Sequence, residues 1–306
     1  MGRALDRVLL GTAPSLRALG ALAAIVVGLR RCKVWQAARV AAKLGRRILL
    51  AWGPYRGQQE VLIVKLDYHI LKSLANGFFG LFVGRTTRPT FFNVKQAYPG
   101  LDHVTRAYPA IRREFDRLLA EWDNLPEYHD VDPGERAISA TTPKRWNVFL
   151  LEIMGHRPAQ NRAFCPETCR ALAQVPNMIQ AFFSILEPGK SVPEHEGPYL
   201  GYLRYHLGVR VPARNPPKLI VNGQDYVWKE GEAVLFDDSW PHSVVNNSEE
   251  LRAVLIVDVR RPLPLLADLA NRFLTDVIAR HTYGRSVARK AEAFANARGA
   301  KRQAAA

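Results

Sequence analysis

The sequence has little with which to crosslink itself: three cysteines in 306 residues are too few for a disulfide-stapled secreted scaffold. It also lacks a long unbroken apolar run. The stretch Ala18 to Leu29 falls short of the about 20 residues a transmembrane helix needs, and it ends at Arg30 and Arg31, where a cleavable leader would carry small residues, so cleavage is not expected. No internal repeat is visible. With 48% apolar and 23% charged residues, 20 Pro and 21 Gly, a disordered or collagen-like chain is excluded. The chain must fold by burying apolar surface, in one large domain or two modest ones.

Acidic residues are scarce at both ends. Residues 1–57 hold 11 Lys/Arg against Asp6 alone, residues 281–306 hold 6 against Glu292 alone, and residues 58–280 hold 26 of each sign. The net charge of +15 is therefore carried by the termini around a neutral middle. A duplex-binding domain places its basic stripe on the folded element that meets phosphate, so this pattern argues against specific nucleic-acid recognition and for an anionic membrane surface.

Three N-terminal stretches fit that partner. Val8 to Leu29 is apolar except for Arg17 and a few small polar residues, and it either just spans a bilayer or only touches one. From Val34 to Arg56, Arg39, Lys43, Arg46 and Arg47 recur among Val34, Trp35, Val40, Leu44, Ile48 and Leu49, which is the spacing of a basic amphipathic helix. A Phe-rich stretch, Leu74 to Gly84, closes with Arg85. Either these pack on a core as ordinary helices or they form a membrane-seated collar; the flanking basic residues favour attachment, with the folded domain on the cytoplasmic side.

Beyond a helix around Pro109 to Asn124, striped by Ile111, Phe115, Leu118, Leu119 and Trp122, the texture changes at Trp146. Short β-like runs follow: 147–153, 181–186, 199–207, 218–221, 226–228, 233–236, 243–246 and 252–259. Pro188-Gly189, Asn222-Gly223, Glu230-Gly231 and Asn246-Asn247 punctuate them. About eight short strands with no helices between the later ones predict a double-sheet jelly roll. A helix is expected from Leu265 to Ile278, then a disordered Ala/Arg-rich tail from about Gly284.

Polar residues that a small sandwich does not need stand in three segments: Glu194-His195-Glu196-Gly197-Pro198, Leu203-Arg204-Tyr205-His206-Leu207-Gly208 and Phe236-Asp237-Asp238-Ser239-Trp240-Pro241-His242, with Arg252 opening a later apolar strand. Two histidines and a carboxylate form the usual facial triad for non-haem iron(II). His195 and His242 supply the histidines, but Gly197 stands where the carboxylate is expected, two residues after the first. Arg204 and His206 share one strand face. Asp237 and Asp238 read as turn residues rather than as replacement ligands or as acceptors for a ligating imidazole, and Cys165 and Cys169, four apart with no partner pair nearby, do not read as a zinc site.

The run HEGPYLGYLRYHLGV, then GEAVLFDDSWPH and an arginine ten residues later, resembles the aspartyl/asparaginyl β-hydroxylase family of 2-oxoglutarate-dependent dioxygenases, including its bacterial lipid A hydroxylase branch, over roughly residues 143–262. The resemblance implies a mainly β, cupin-like double-stranded β-helix. It implies iron(II) held by His195 and His242, and 2-oxoglutarate as cosubstrate, its near carboxylate at Arg204 and His206 and its distal one at Arg252 with Ser184. Asp/Asn hydroxylases of this type carry glycine at the position of Gly197 and leave it to water, whereas lipid A hydroxylases usually keep Asp there. The N-terminus and the segment Val221 through Trp228 look more like the lipid branch.

The expected organisation is a membrane-associating segment (1–57), a helical region packing on the core (58–142), the jelly roll (143–262), and a C-terminal helix with a basic tail (263–306). The expected activity is hydroxylation of an unactivated C–H bond in a peptide, lipid or small-molecule substrate. The alternative is a non-catalytic, membrane-associated jelly roll that binds a ligand without turnover.

Overall fold

The computed structural model describes residues 68–305, all within the larger of two compact units, Lys65–Ala306. The expected membrane segment 1–57, including Val8 to Leu29 and the basic helix Val34 to Arg56, lies outside the described residues.

The N-terminal part is helical: α1 (Tyr68–Val83), α2 (Val94–Ala97), α3 (Leu101–Arg106), α4 (Tyr108–Leu119), α5 (Tyr128–Val131) and α6 (Arg136–Ser139), with a two-residue strand β1 (Phe91–Phe92) after α1. Helix α4 starts with Pro109 in its first turn, where the missing N–H costs nothing, and buries Ile111, Phe115 and Leu118 at helical spacing. Two further helices, α7 (Ala159–Phe164) and α8 (Pro166–Leu172), interrupt the strands between β2 (Trp146–Ile153) and β3 (Met178–Leu186). Buried Glu114 of α4 accepts the N–H groups of Glu167 and Thr168, closing the start of α8.

The remaining strands are β4 (Val192–His195), β5 (Tyr202–Arg210), β6 (Lys218–Val221), β7 (Gln224–Val227), β8 (Ala233–Phe236), β9 (His242–Val245) and β10 (Arg252–Arg260). They form two antiparallel sheets, one of six strands in the order β1-β8-β5-β10-β3-β2 and one of four in the order β4-β9-β6-β7. This is the expected mainly β jelly roll with flanking helices. Two of the turn signals have a clear backbone role. Asn222 and Gly223 both take positive φ, which a two-residue type I′ hairpin between β6 and β7 demands, and the Asn246 side chain accepts from the Ser248 N–H to bend the chain into β10.

The larger sheet is buried on both faces, and residue parity sorts its side chains. On β10, Ala253, Leu255, Val257 and Val259 join the cluster beneath the helices, while Val254 and Ile256 join the one between the sheets. Arg252 and Asp258 share the second parity, so they point with Val254 and Ile256 into the jelly roll. By the same rule β5 gives Leu203, Tyr205 and Leu207 to the helices and Arg204 and His206 to the interior.

After β10, α9 (Leu265–Arg272) runs into a π-helical stretch, Phe273–Gly284, and then α10 (Arg285–Ala305). The expected disorder from Gly284 is thus corrected. Val287, Ala288, Ala291 and Ala295 form a buried small-residue stripe on α10, and buried Arg298 donates to Asn161. Alanine is the strongest helix former, and its size lets the helix lie close against β2.

Candidate functional site

The two histidines expected to act together do meet. β4 pairs antiparallel with β9, placing His195 opposite His242 with ring centroids 4.1 Å apart. Each ring is oriented by a carbonyl two residues earlier in the chain: His195 Nδ1 lies 2.9 Å from Pro193 O, and His242 Nδ1 lies 2.8 Å from Trp240 O. A carbonyl only accepts, so both Nδ1 atoms carry hydrogen and both Nε2 lone pairs face away from it. Burial, with His242 close by, lowers the pKa of His195 to about 4. Burial also disfavours charge on His242, but the neighbouring Asp238 carboxylate outweighs it and raises that pKa.

Asp238 is more than a turn residue, which corrects the sequence expectation. It is buried, with Oδ1 3.2 Å from His242 Nε2 and 2.9 Å from Arg204 Nη1, while Oδ2 accepts from the Tyr202 hydroxyl. Burial disfavours its charge, yet Arg204 and His242 hold its pKa well below the carboxylate range. Gly197 sits against it. The Gly197 N–H donates to Asp238 O at 2.9 Å, and a Cβ added at Gly197 would collide with the Asp238 carboxylate and the Tyr202 hydroxyl. The space that a side chain two residues after His195 would fill is taken by a carboxylate arriving from the β8–β9 turn. Asp237 serves that turn, accepting from Ser239 and held by Arg88 and Arg261.

Arg204 faces carboxylates with all three of its nitrogens. Nε and Nη2 reach the two oxygens of Asp258 at 2.8 Å each, and Nη1 reaches Asp238. Asp258 was not singled out from the sequence, although its parity with Arg252 along β10 would have flagged a second polar residue facing inward.

Deeper in the interior the pairing stops. Ring neighbours run from His242 to Phe236 at 5.9 Å, Phe236 to His206 at 5.1 Å, and His206 to Trp228 at 5.9 Å, where the Arg252 guanidinium covers the indole 4.1 Å from its centroid. Arg252 is 2% exposed and pairs with no carboxylate among the described residues; burial alone lowers its pKa to about 9. Its Nε, both ring nitrogens of His206 and the Trp228 Nε1 have no hydrogen-bond partner among the described residues. Burial and then Arg252 push the His206 pKa well below the usual imidazole value. Ser184, diagonally across β3 from Arg252, accepts from Trp146 Nε1 at 2.9 Å and keeps its own hydroxyl hydrogen to donate. A buried cation surrounded by unused donors is costly unless an anion completes it.

Elsewhere, Cys165 and Cys169 are free and buried, and burial raises both thiols, Cys169 to about 11. Among the described residues no group of three or more His, Cys, Asp or Glu side chains is arranged to hold a metal ion, so the two imidazoles stand as a pair.

The chain is similar to several known proteins. Residues 105–262 match the family model for aspartyl/asparaginyl beta-hydroxylase. An ornithine lipid ester-linked acyl 2-hydroxylase from Rhizobium tropici is 39% identical over 175 residues, 57% of this chain and 62% of its own length. The human aspartyl/asparaginyl beta-hydroxylase is 34% identical over 122 residues, 38% of this chain and 16% of its own. A Pseudomonas putida prolyl-4-hydroxylase structure overlays 51% of this chain and 88% of its own at 14% identity and a TM-score of 0.33. The chain thus spans less than two thirds of the length of these two curated relatives.

Proposed function

Since the chain belongs to the aspartyl/asparaginyl β-hydroxylase family, we propose that it is a 2-oxoglutarate- and iron(II)-dependent hydroxylase of an unactivated C–H bond, in a lipid acyl chain or a peptide Asp/Asn side chain. One observation carries this reading. A pair of carbonyl-oriented imidazoles and an unpaired buried guanidinium with orphaned donors share the interior of one jelly roll.

The residues fit the groups this activity needs. His195 and His242 would hold the metal through Nε2, the tautomer that a backbone acceptor at Nδ1 enforces in metal-binding histidines. The lone pair of His242 Nε2 faces the Asp238 carboxylate, a juxtaposition of acceptors that a cation relieves, be it a proton or a metal ion. Arg252 would grip the distal carboxylate by charge-assisted hydrogen bonds, helped by Ser184. His206 would donate to the near carboxylate, and Arg204 would steer it with the N–H groups left over from Asp258 and Asp238. The charges also balance: Arg204 and Arg252 match Asp238 and Asp258, so a divalent cation and a dicarboxylate enter together without net charge. Iron(II), when bound, supplies the oxygen chemistry that side chains cannot perform. The chain's own part is to bind, orient and keep water from the interior of the jelly roll.

The attachment of residues 1–57 to an anionic membrane, with the jelly roll on the cytoplasmic side, belongs to the same proposal and rests on the sequence.

Purified protein should release succinate from 2-oxoglutarate when iron(II) is added, and His242→Ala should abolish it. Comparing lipid and peptide fractions of cells with and without the gene by mass spectrometry for the gain of one oxygen atom identifies the substrate. Iron binding without succinate release by the wild type would instead favour a ligand-binding jelly roll.

A further inference from the structure

Two helices beside the site expose apolar surface that a water-soluble domain normally buries. On α1, Leu74, Phe78, Leu81 and Phe82 recur at the spacing of a single helical face, and all four are exposed, Leu81 by 68%. The opposite side of the same helix is already buried through Phe79 and Gly80. On α9 and its π-helical continuation, Leu265, Leu266, Leu269 and Phe273 form a second exposed stripe, Leu266 by 74%. Patches of this kind mark a partner surface.

Both helices grip the same turn, next to the first histidine. Tyr199 lies 5.7 Å from Phe79 of α1, and its hydroxyl donates to Asn271 of α9 at 3.0 Å. Asn76 of α1 accepts from the Leu200 N–H, and Asn271 donates to Gly201 O. Lys72 of α1 reaches Glu196, the residue after His195, at 3.6 Å. The two apolar stripes therefore flank the segment that leads out of the metal-binding strand.

Charge selects the partner. Helix α1 carries Lys72 and no acid, and exposed Arg85 follows it. Residues 265–290 hold five Lys/Arg against Asp268 and Asp276, and Arg272, Arg280, Arg285 and Arg289 are all exposed. Leucine and phenylalanine stripes bordered by arginine match the boundary between acyl chains and anionic headgroups. Among the described residues no helix is long and apolar enough to cross a membrane; one-sided apolar stripes such as these suit helices that lie in the interface.

We propose that α1 and α9 form a docking face that seats the jelly roll on an anionic lipid bilayer, with the rim of the His195–His242 site against the membrane. The docking stands on exposed surface alone; its purpose, access to a substrate embedded in the bilayer, rests on the hydroxylase reading.

The test uses the full chain with Cys32→Ser and one added cysteine, at Leu81, Leu269 or exposed Glu249, carrying an environment-sensitive NBD fluorophore. With vesicles of equal parts phosphatidylcholine and phosphatidylglycerol, the labels at 81 and 269 should shift to the blue and be quenched by lipids bearing nitroxide on their acyl chains. The label at 249 should do neither. Introducing Leu81→Glu with Leu269→Glu should weaken partitioning by about tenfold or more for each leucine removed from contact. The proposal is overturned if the chain does not bind these vesicles, or if it binds with the labels at 81 and 269 still in water. It is equally overturned if those labels are blue-shifted before lipid is added, which would mean that another segment or a second copy covers the face. Succinate release measured without vesicles reports on the hydroxylase reading separately, so failure of one is not mistaken for failure of the other.

Discussion

Replacing Arg252 by methionine separates a binding role from a structural one, because the two predict opposite signs for stability. The guanidinium is buried without a carboxylate partner and its pKa is held at about 9. The distance from an ordinary arginine corresponds to about 5 kcal/mol opposing the charged form. Stacking on Trp228 at 4.1 Å returns about 2 kcal/mol of that. In the fold without ligand, Arg252→Met should therefore be neutral or stabilising by about 2–3 kcal/mol, as expected when an unpaired buried charge gives way to an apolar side chain of similar length. For a domain of this size that is a rise in Tm of roughly 5–10 °C. The pH dependence has a definite sign. Between about 9 and the ordinary arginine value of about 12.5, the unfolded chain binds the extra proton, so wild-type stability from this group rises with pH in that window, and the variant loses the slope. The same substitution should weaken 2-oxoglutarate binding, measured by titration calorimetry with manganese(II) in place of iron, by about a hundredfold to several thousandfold, from the roughly 3–5 kcal/mol that losing one partner of a buried ion pair costs. A variant that melts several degrees lower while binding 2-oxoglutarate as well as the wild type would refute the reasoning and leave Arg252 as a core residue.

Further outcomes follow from the same geometry. Gly197→Asp should not create a third metal ligand: its side chain meets Asp238 and Tyr202, so soluble yield and succinate release should both fall, and adding Asp238→Gly should recover part of the yield. Asp258→Asn removes one side of the clamp between buried Asp258 and half-buried Arg204 and should cost about 3 kcal/mol in denaturant unfolding. Glu135, raised to about 7 by burial and then by Asp132, is bound by a proton in the fold that the unfolded chain has already released; stability from this group falls as pH rises from about 4.5 to 7. Glu135→Gln should consequently stabilise by about 1–2 kcal/mol at pH 8, discounted for partial exposure, and change little at pH 4.

Most of the jelly roll was legible because its strands are bounded by residues with a backbone reason to be there. Asn222-Gly223 can only be a tight hairpin, and the runs on either side emerge as β6 and β7. Strand β4 escaped notice: Val192–His195 contains Pro193 and two exposed residues, so it lacks both alternation and β-propensity, and only pairing with β9 makes it a strand. Helix α10 was hidden for a different reason. Its stripe is alanine, which a reading tuned to large apolar residues passes over in favour of the surrounding arginines.

The candidate site divides along the same line. His195 and His242 could be paired from motif and spacing, and Arg204, His206 and Arg252 named, because each stands out against an apolar strand. Which of them are already satisfied was invisible, since that depends on what arrives from across the barrel. Arg204 and Arg252 look alike in sequence, each an arginine on an inward face. One meets Asp258 and Asp238; the other, among the described residues, meets an indole ring and no carboxylate. That difference decides their chemistry. The paired arginine contributes rigidity, because breaking its clamp leaves two buried carboxylates short of a cation. The unpaired one carries a standing cost that a carboxylate ligand would relieve. A sheet buried on both faces has no solvent in which to hide a spare charge, so an orphaned cation on its inner face is itself the argument for an anionic ligand.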